Sequence, residues 1–185
     1  APITLSGTIV LNGTLDLVAT TATWNGSSTQ TMEGTGAVTG SNGTFSITTA
    51  SKEILSGSVF SFSSNISLAN GIVLTNSGTV SLDGNLLGGN SSSGWINSTG
   101  AVFNVSGAML ATGNLNASAP NNEINYTSTL DQTIKSTTYD KLVCSGGGIK
   151  TFNSNFTVNS LLLIQDNVVL DEATKAITGS ADLEM

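Results

Sequence analysis

The stretch Gly94-Trp95-Ile96-Asn97-Ser98-Thr99-Gly100-Ala101-Val102-Phe103-Asn104-Val105-Ser106-Gly107-Ala108-Met109-Leu110-Ala111-Thr112-Gly113 carries the reading of the fold. Its glycines fall at 94, 100, 107 and 113, six or seven residues apart. Between them, apolar residues alternate with small polar ones, the period of a half-buried strand. A hairpin meander spaces its strands and turns more widely, at about 8–12 residues. Punctuation this close instead suits a coil of three short faces, about 20 residues per turn, with glycine at the corners where φ turns positive.

The same style extends in both directions. Gly7-Thr8-Ile9-Val10-Leu11, Gly13-Thr14-Leu15-Asp16-Leu17, Gly43-Thr44-Phe45-Ser46-Ile47 and Gly78-Thr79-Val80-Ser81-Leu82 each open on glycine and then alternate. The expected fold is therefore an all-β parallel β-solenoid, a β-helix of about eight or nine coils. A β-sandwich with an exchanged N-terminal strand is the alternative that the same alternation allows. Only residues 171–176 have helical composition, a run too short to be stable alone. The longest apolar run, Leu161-Leu162-Leu163-Ile164, reads as a buried strand and falls far short of a membrane helix.

Composition agrees with stacked coils and excludes much chemistry. The 185 residues include 26 Ser, 26 Thr, 19 Asn and 21 Gly, whereas only 9% are charged. Outward positions of a solenoid stack on one another, where uncharged hydroxyls and amides avoid the repulsion of like-charge ladders. Histidine and arginine are both absent. There is no Ser-His-Asp or Cys-His site, no histidine-ligated metal and no bidentate anion clamp. With five lysines and a net charge of -7, the chain lacks the basic density that nucleic-acid binding needs. Acidic residues are sparse before residue 123, and the reading is of a protein that is not an enzyme and holds no cofactor or metal. Asp166, Asp171 and Glu172 match no calcium loop and read as solvated corner carboxylates. Cys144, the only cysteine, shares a face with Leu142 and reads as a small buried hydrophobe. Trp24 and Trp95 read first as packing residues, with stacking on sugars as the functional alternative.

Charge density rises after Pro120-Asn121-Asn122. That tripeptide marks a kink or subdomain boundary at 120–122 within a single β-rich domain spanning residues 1–185. Beyond it, Gln132-Thr133-Ile134, then Tyr139-Asp140-Lys141-Leu142 through Gly146-Gly147-Gly148-Ile149-Lys150-Thr151-Phe152, then Phe156-Thr157-Val158-Asn159-Ser160-Leu161 resembles a repeat unit. It is similar to the repeats of large secreted bacterial surface adhesins of the Bacteroidota type, which resemble filamentous-haemagglutinin-like β-solenoids. The match covers residues 123–170, and residues 1–120 share only composition and glycine-corner style. The resemblance implies an extracellular, cell-surface location and no catalytic residues. In style the chain is also similar to glycosylated archaeal thread and donor-strand pilus subunits, which would imply the sandwich.

Asn-x-Ser/Thr occurs ten times, at Asn12, Asn25, Asn42, Asn65, Asn90, Asn97, Asn104, Asn116, Asn125 and Asn155. These are the candidate acceptors for covalent N-glycans. At Asn65, Asn104, Asn125 and Asn155 the central residue is apolar, so a strand would turn the asparagine and the hydroxyl outward together. The functional expectation is a structural protein, a subunit or segment of a surface filament or adhesin that associates head to tail with other copies of itself. Ile3, Leu5, Ile9 and Leu11 are the candidate assembly residues, because the sequence is strand-like from its first residues. The alternative is a carbohydrate-binding adhesin module with surface glycans as partners. Neither reading involves nucleic acid or a membrane span. The start at Ala1-Pro2 fits a secreted chain whose leader has been removed.

Overall fold

The computed structural model describes residues 1–185 apart from Asp166 and Ala173. The chain winds through nine coils. The first holds β1 (Ile3–Leu5), β2 (Ile9–Val10) and β3 (Thr14–Asp16). The second holds β4 (Thr21–Trp24), β5 (Gln30–Glu33) and β6 (Thr35–Thr39), and the third β7 (Thr44–Ile47), β8 (Lys52–Ile54) and β9 (Val59–Phe62). The fourth holds β10 (Asn65–Leu68), β11 (Val73–Asn76) and β12 (Thr79–Leu82), and the fifth β13 (Leu86–Gly88), β14 (Gly94–Asn97) and β15 (Val102–Val105). In the sixth, β16 (Asn114–Asn116) and β17 (Glu123–Tyr126) follow a single bridge residue, Met109. The last three carry β18 (Gln132–Ile134) and β19 (Thr138–Cys144), then β20 (Gly148–Phe152) and β21 (Phe156–Ile164). The final coil has β22 (Val168–Asp171), β23 (Ile177–Gly179) and β24 (Asp182–Glu184).

Every pairing between these strands is parallel and joins one coil to the next. The first face runs β1-β4-β7-β10-β13, the second β2-β5-β8-β11-β14-β16, and the third β3-β6-β9-β12-β15-β17-β19-β21 and onward. The fold is the expected β-solenoid, and the sandwich alternative fails because no antiparallel or face-to-face strand pair exists among the described residues. β1 pairs with β4 of its own chain rather than being exchanged. Rungs about 4.8 Å apart give a stack on the order of 40 Å long.

Period-two alternation fixes what lies inside. In β10, Ile66 and Leu68 are buried while Asn65 and Ser67 are half-exposed, and β12 repeats this with Val80 and Leu82. The inward residues form one continuous core from Leu17 to Leu162. Aromatic rings stack along it: Trp95 lies on Phe103 with centroids 4.1 Å apart, and Phe156 meets Phe152 edge-on at 4.7 Å. Of the run Leu161–Ile164, only Leu162 is fully buried. No helix occurs among the described residues. Asp171 closes β22, and Ala173, inside the run of helical composition, lies outside them.

The winding changes in the second half. Residues 120–122 form the corner between β16 and β17, and the second and third faces hydrogen-bond on either side of it. The first face does not continue. It ends at the Leu86–Met109 bridge, and a separate ladder, β18-β20-β22, takes its place in the winding order. β19 and β21 are long because each serves two faces. Thr138 and Tyr139 continue the second face, and after an irregularity at Asp140 the strand from Lys141 to Cys144 continues the third.

Candidate functional site

The terminal rungs hold the assembly candidates. Ile3, Leu5, Ile9 and Leu11 are half-buried and pack against the core, as the first layer beneath Ala22, Trp24 and Met32. β1, β2 and β3 pair on one side only, and so do β22, β23 and β24 at the opposite end. Within residues 1–185, the first and last rungs thus each have one neighbouring rung and a half-buried apolar layer. Ile177 and Ala181 are half-buried there, and Leu183 is exposed.

The ten sequon asparagines divide by environment. Asn12, Asn25, Asn42, Asn116 and Asn155 are exposed, and Asn65, Asn90, Asn104 and Asn125 are half-exposed. At Asn65, Asn104, Asn125 and Asn155 the central apolar residue points inward, as the alternation required. Two of these side chains form an outward ladder: Asn125 Nδ2 donates to Asn104 Oδ1 at 2.6 Å, and Asn104 Nδ2 to Ser81 Oγ at 3.0 Å. At Asn116 the sequon hydroxyl, Ser118 Oγ, donates to Asn116 Oδ1 at 3.2 Å. Asn97 is a correction. It is fully buried, and its Nδ2 donates to Ala101 O at 3.0 Å and to Glu123 O at 3.1 Å. Its Oδ1 accepts from Asn76 Nδ2 at 2.8 Å, so the pair ties three successive coils together from inside. In the folded chain no glycan can reach it.

Trp24 and Trp95 are also fully buried, which removes both from any sugar-stacking role. Trp24 donates its indole N–H to Gly7 O at 2.9 Å, a tie from the second coil to the first. Among the described residues no three carboxylate or thiol side chains gather to hold a metal. Asp166, one of the three corner carboxylates considered from the sequence, lies outside the described residues.

The interior also holds cations that the sequence reading left unassigned. Lys52 is buried, and its ammonium donates to Gly26 O at 2.7 Å and Ser28 O at 2.9 Å while lying 5.6 Å from the centre of the Trp24 ring. Lys150 repeats the arrangement five coils on, donating to Ser128 O at 2.7 Å and Leu130 O at 3.4 Å. In each case the register neighbour one coil earlier is a glutamine: Gln30 for Lys52 and Gln132 for Lys150. Gln30 donates to Ser6 O, and Gln132 to Val105 O and Gly107 O, each at 2.9 Å for Gln132. A glutamine and then a lysine thus cap inward-turned corner carbonyls in consecutive coils, a requirement for any buried backbone group. Burial lowers the pKa of Lys52 and Lys150. Parity could have exposed all of them, since Lys52, Gln132 and Lys150 each stand two residues before an inward Ile54, Ile134 or Phe152.

Where the first face breaks off, a cleft of about 760 Å³ opens. One wall is Ser106 to Ala111, the other Leu130 to Ser136, and Asn153 and Ser154 close one end. Side chains replace ladder bonds across it. Lys135 Nζ donates to Leu110 O at 2.7 Å, the Lys135 N–H donates to Tyr126 Oη at 2.8 Å, and Tyr139 Oη donates to Lys135 O. Tyr126 and Tyr139 meet through their hydroxyls at 3.1 Å, and burial raises both phenol pKa values. No aromatic face opens into the cleft, because both tyrosines are buried.

Cys144 sits beside Tyr126 in the ladder and is fully buried. Burial pushes its thiol from an ordinary 9.0 up to about 12, with the Lys150 ammonium pulling the other way. A folded pKa above the unfolded one contributes stability that is complete below pH 9.0 and is lost as pH rises toward 12. Two outcomes are expected. A thiol reagent at pH 8 leaves the folded chain unlabelled and labels it in denaturant, and Cys144→Ala flattens the fall in melting temperature above pH 9. Labelling of the folded chain at the rate of a free thiol would refute this burial.

Compared with known proteins, the chain matches no family model, no curated protein and no solved structure. Its class is therefore defined by its own geometry: a parallel β-solenoid with buried cation caps and a lateral cleft beside Met109.

Proposed function

We propose that this chain is a non-enzymatic extracellular structural protein, a subunit or segment of a cell-surface filament or adhesin, that associates head to tail with further copies through its terminal rungs. The observation that supports this reading is that the first and last rungs carry the same half-buried apolar layer and the same strand alternation. A strand edge is a template for another strand, and a half-covered apolar layer gains from another layer laid on it. The last rung of one copy, with Ile177, Ala181 and Leu183, would meet the first rung of the next, with Ile3, Leu5, Ile9 and Leu11. Each carries the same period-two alternation, so the ladder continues without a change of pattern. The outward Thr, Ser and Asn columns support a surface location, and the resemblance of residues 123–170 to adhesin repeats agrees with it. Exposed Asn12, Asn25, Asn42, Asn116 and Asn155 are the acceptors best placed for N-glycans.

Deletion of residues 1–11 tests the reading. Electron microscopy and sedimentation are expected to show filaments of the intact chain that disappear on deletion, with β-content by circular dichroism retained. Filaments that persist without these residues would sink assembly through the first rung. The cleft beside Met109 favours a second reading, a carbohydrate-binding adhesin module. A chain that stays monomeric and is retained on a glycan array would establish that reading instead.

A further inference from the structure

Four asparagines precede glycine: Asn12, Asn25, Asn42 and Asn70, each exposed at a corner. The step is chemically special because glycine has no side chain to keep its amide nitrogen away from the neighbouring carboxamide. The structure, however, treats the four nitrogens differently. Gly43 N–H donates to Gly40 O at 2.7 Å, and Gly71 N–H donates to Asn90 Oδ1 at 3.1 Å, so both are engaged. Gly26 N–H has no partner among the described residues, but Gly26 is buried, its carbonyl is held by Lys52, and the Gln30 side chain crowds it. Among the described residues Gly13 is the one of the four glycines that combines an N–H without a partner, an exposed position and no atom within 4 Å of where a Cβ would stand.

Asn12 is also primed as the electrophile. Its Oδ1 accepts the Thr35 N–H at 3.1 Å. That donor polarises the carboxamide and stays in place for the negative charge that builds on oxygen during attack. We propose that Asn12 is a site of spontaneous amide loss, the fastest of the four. The Gly13 nitrogen attacks Asn12 Cγ, and a new N–Cγ bond closes a succinimide. The Cγ–Nδ2 bond breaks, and Nδ2 departs as ammonia with the proton given up by Gly13. Water then opens the ring at either carbonyl, leaving aspartate or isoaspartate.

The position gives this chemistry a consequence. Asn12 ties the first coil to the second, alongside Leu11 N–H to Glu33 O at 2.9 Å and Ala37 N–H to Gly13 O at 2.9 Å. Isoaspartate inserts an extra carbon into the backbone between Leu11 and Gly13 and pulls this corner out of register. The first rung loosens with age while the rest of the stack keeps its ladder. Resting on the proposed N-glycosylation, a glycan on Asn12 Nδ2 would occupy the very atom that must leave, so an occupied site is protected.

The test uses the full, unglycosylated chain held at mildly alkaline pH, followed by peptide mass mapping and enzymatic labelling of isoaspartate at each Asn–Gly step. Asn12 is expected to convert about tenfold faster than Asn42 and Asn70, with Asn25 between, since each 1.4 kcal/mol of local opening costs a factor of ten. In denaturant the four rates converge, because the difference belongs to the fold. Equal rates in the folded chain, or Asn42 or Asn70 leading, would overturn the proposal. Run on the dispersed chain, at a concentration where sedimentation shows no filaments, this experiment can fail while the structural reading stands, and the failure of that reading leaves it intact.

Discussion

Replacing Lys52 by methionine is expected to destabilise the chain by about 2–4 kcal/mol, a fall of about 5–10 °C in melting temperature for a domain of this size. Methionine fills nearly the same space, so packing beside Trp24 survives. What goes is the donor to Gly26 O and Ser28 O, two carbonyls turned inward at a corner. A buried acceptor left without a partner costs its full desolvation. The loss is moderated because the variant no longer buries an ammonium. Lys150→Met removes the same kind of cap from Ser128 O and Leu130 O. The two sites stand five coils apart and share no partner, so their effects should add. Lys175→Met, where the cation is only half-buried, serves as the control. Thermal unfolding followed by circular dichroism decides the matter, and Lys52→Met melting with the native chain would show that the carbonyls need no cap.

Gly107→Val is expected to cost more than 3 kcal/mol, for a steric reason. A Cβ at residue 107 would collide with the carbonyl of Gly84 one coil below, lying 2.6 Å from its carbon and 2.8 Å from Asn85 Oδ1. Gly84 in turn stands against Ser64 O and the Asn65 nitrogen of the preceding coil. At this corner the rungs approach backbone to backbone, and the β12–β15 ladder on one side and the Leu86–Met109 bridge on the other prevent them from spreading. The φ of Gly107 is not positive, so the demand is for space alone. Gly7→Ala supplies the comparison: nothing lies within 4 Å of a Cβ there, and the change should be neutral or slightly stabilising through the unfolded chain. Hydrogen exchange should place the damage in the fifth and sixth coils. A Gly107→Val variant as stable as Gly7→Ala would refute the packing argument.

Both substitutions bear on what could be read from the sequence. The coil architecture was legible because it depends on two local signals, alternation and closely spaced glycine, and both survive into the structure as strand and corner. The inward polar residues follow the same parity, yet a lysine before Glu53 or an asparagine after Ile96 reads as surface by its chemistry. Parity was the better guide, since the corner carbonyls they serve become visible only when one coil is laid on the next. Asn97 shows the same conflict, for its sequon pattern marks a surface acceptor while its place two residues after buried Trp95 marks the interior. The cleft could not be read at all. It arises because β19 and β21 turn a corner without interruption, which leaves 18 residues between Tyr126 and Cys144 in register, and 20 between Cys144 and Ile164, and strands the first face. Nothing local at Gly107 to Ala111 announces that its partner rung is displaced.

That stranded face has a mechanical consequence. In the first five coils the rod is braced by ladders on three sides, whereas beside Met109 the bracing is carried by two, and side chains such as Lys135 span the third. A beam notched on one flank has a preferred direction of flexure. Bending that opens the notch stretches side-chain contacts such as those of Lys135 and Gln132, while bending about the other axes must strain continuous backbone hydrogen bonds. Compliance is thus concentrated at one level and in one plane, and a series of such rods would curve rather than lie straight.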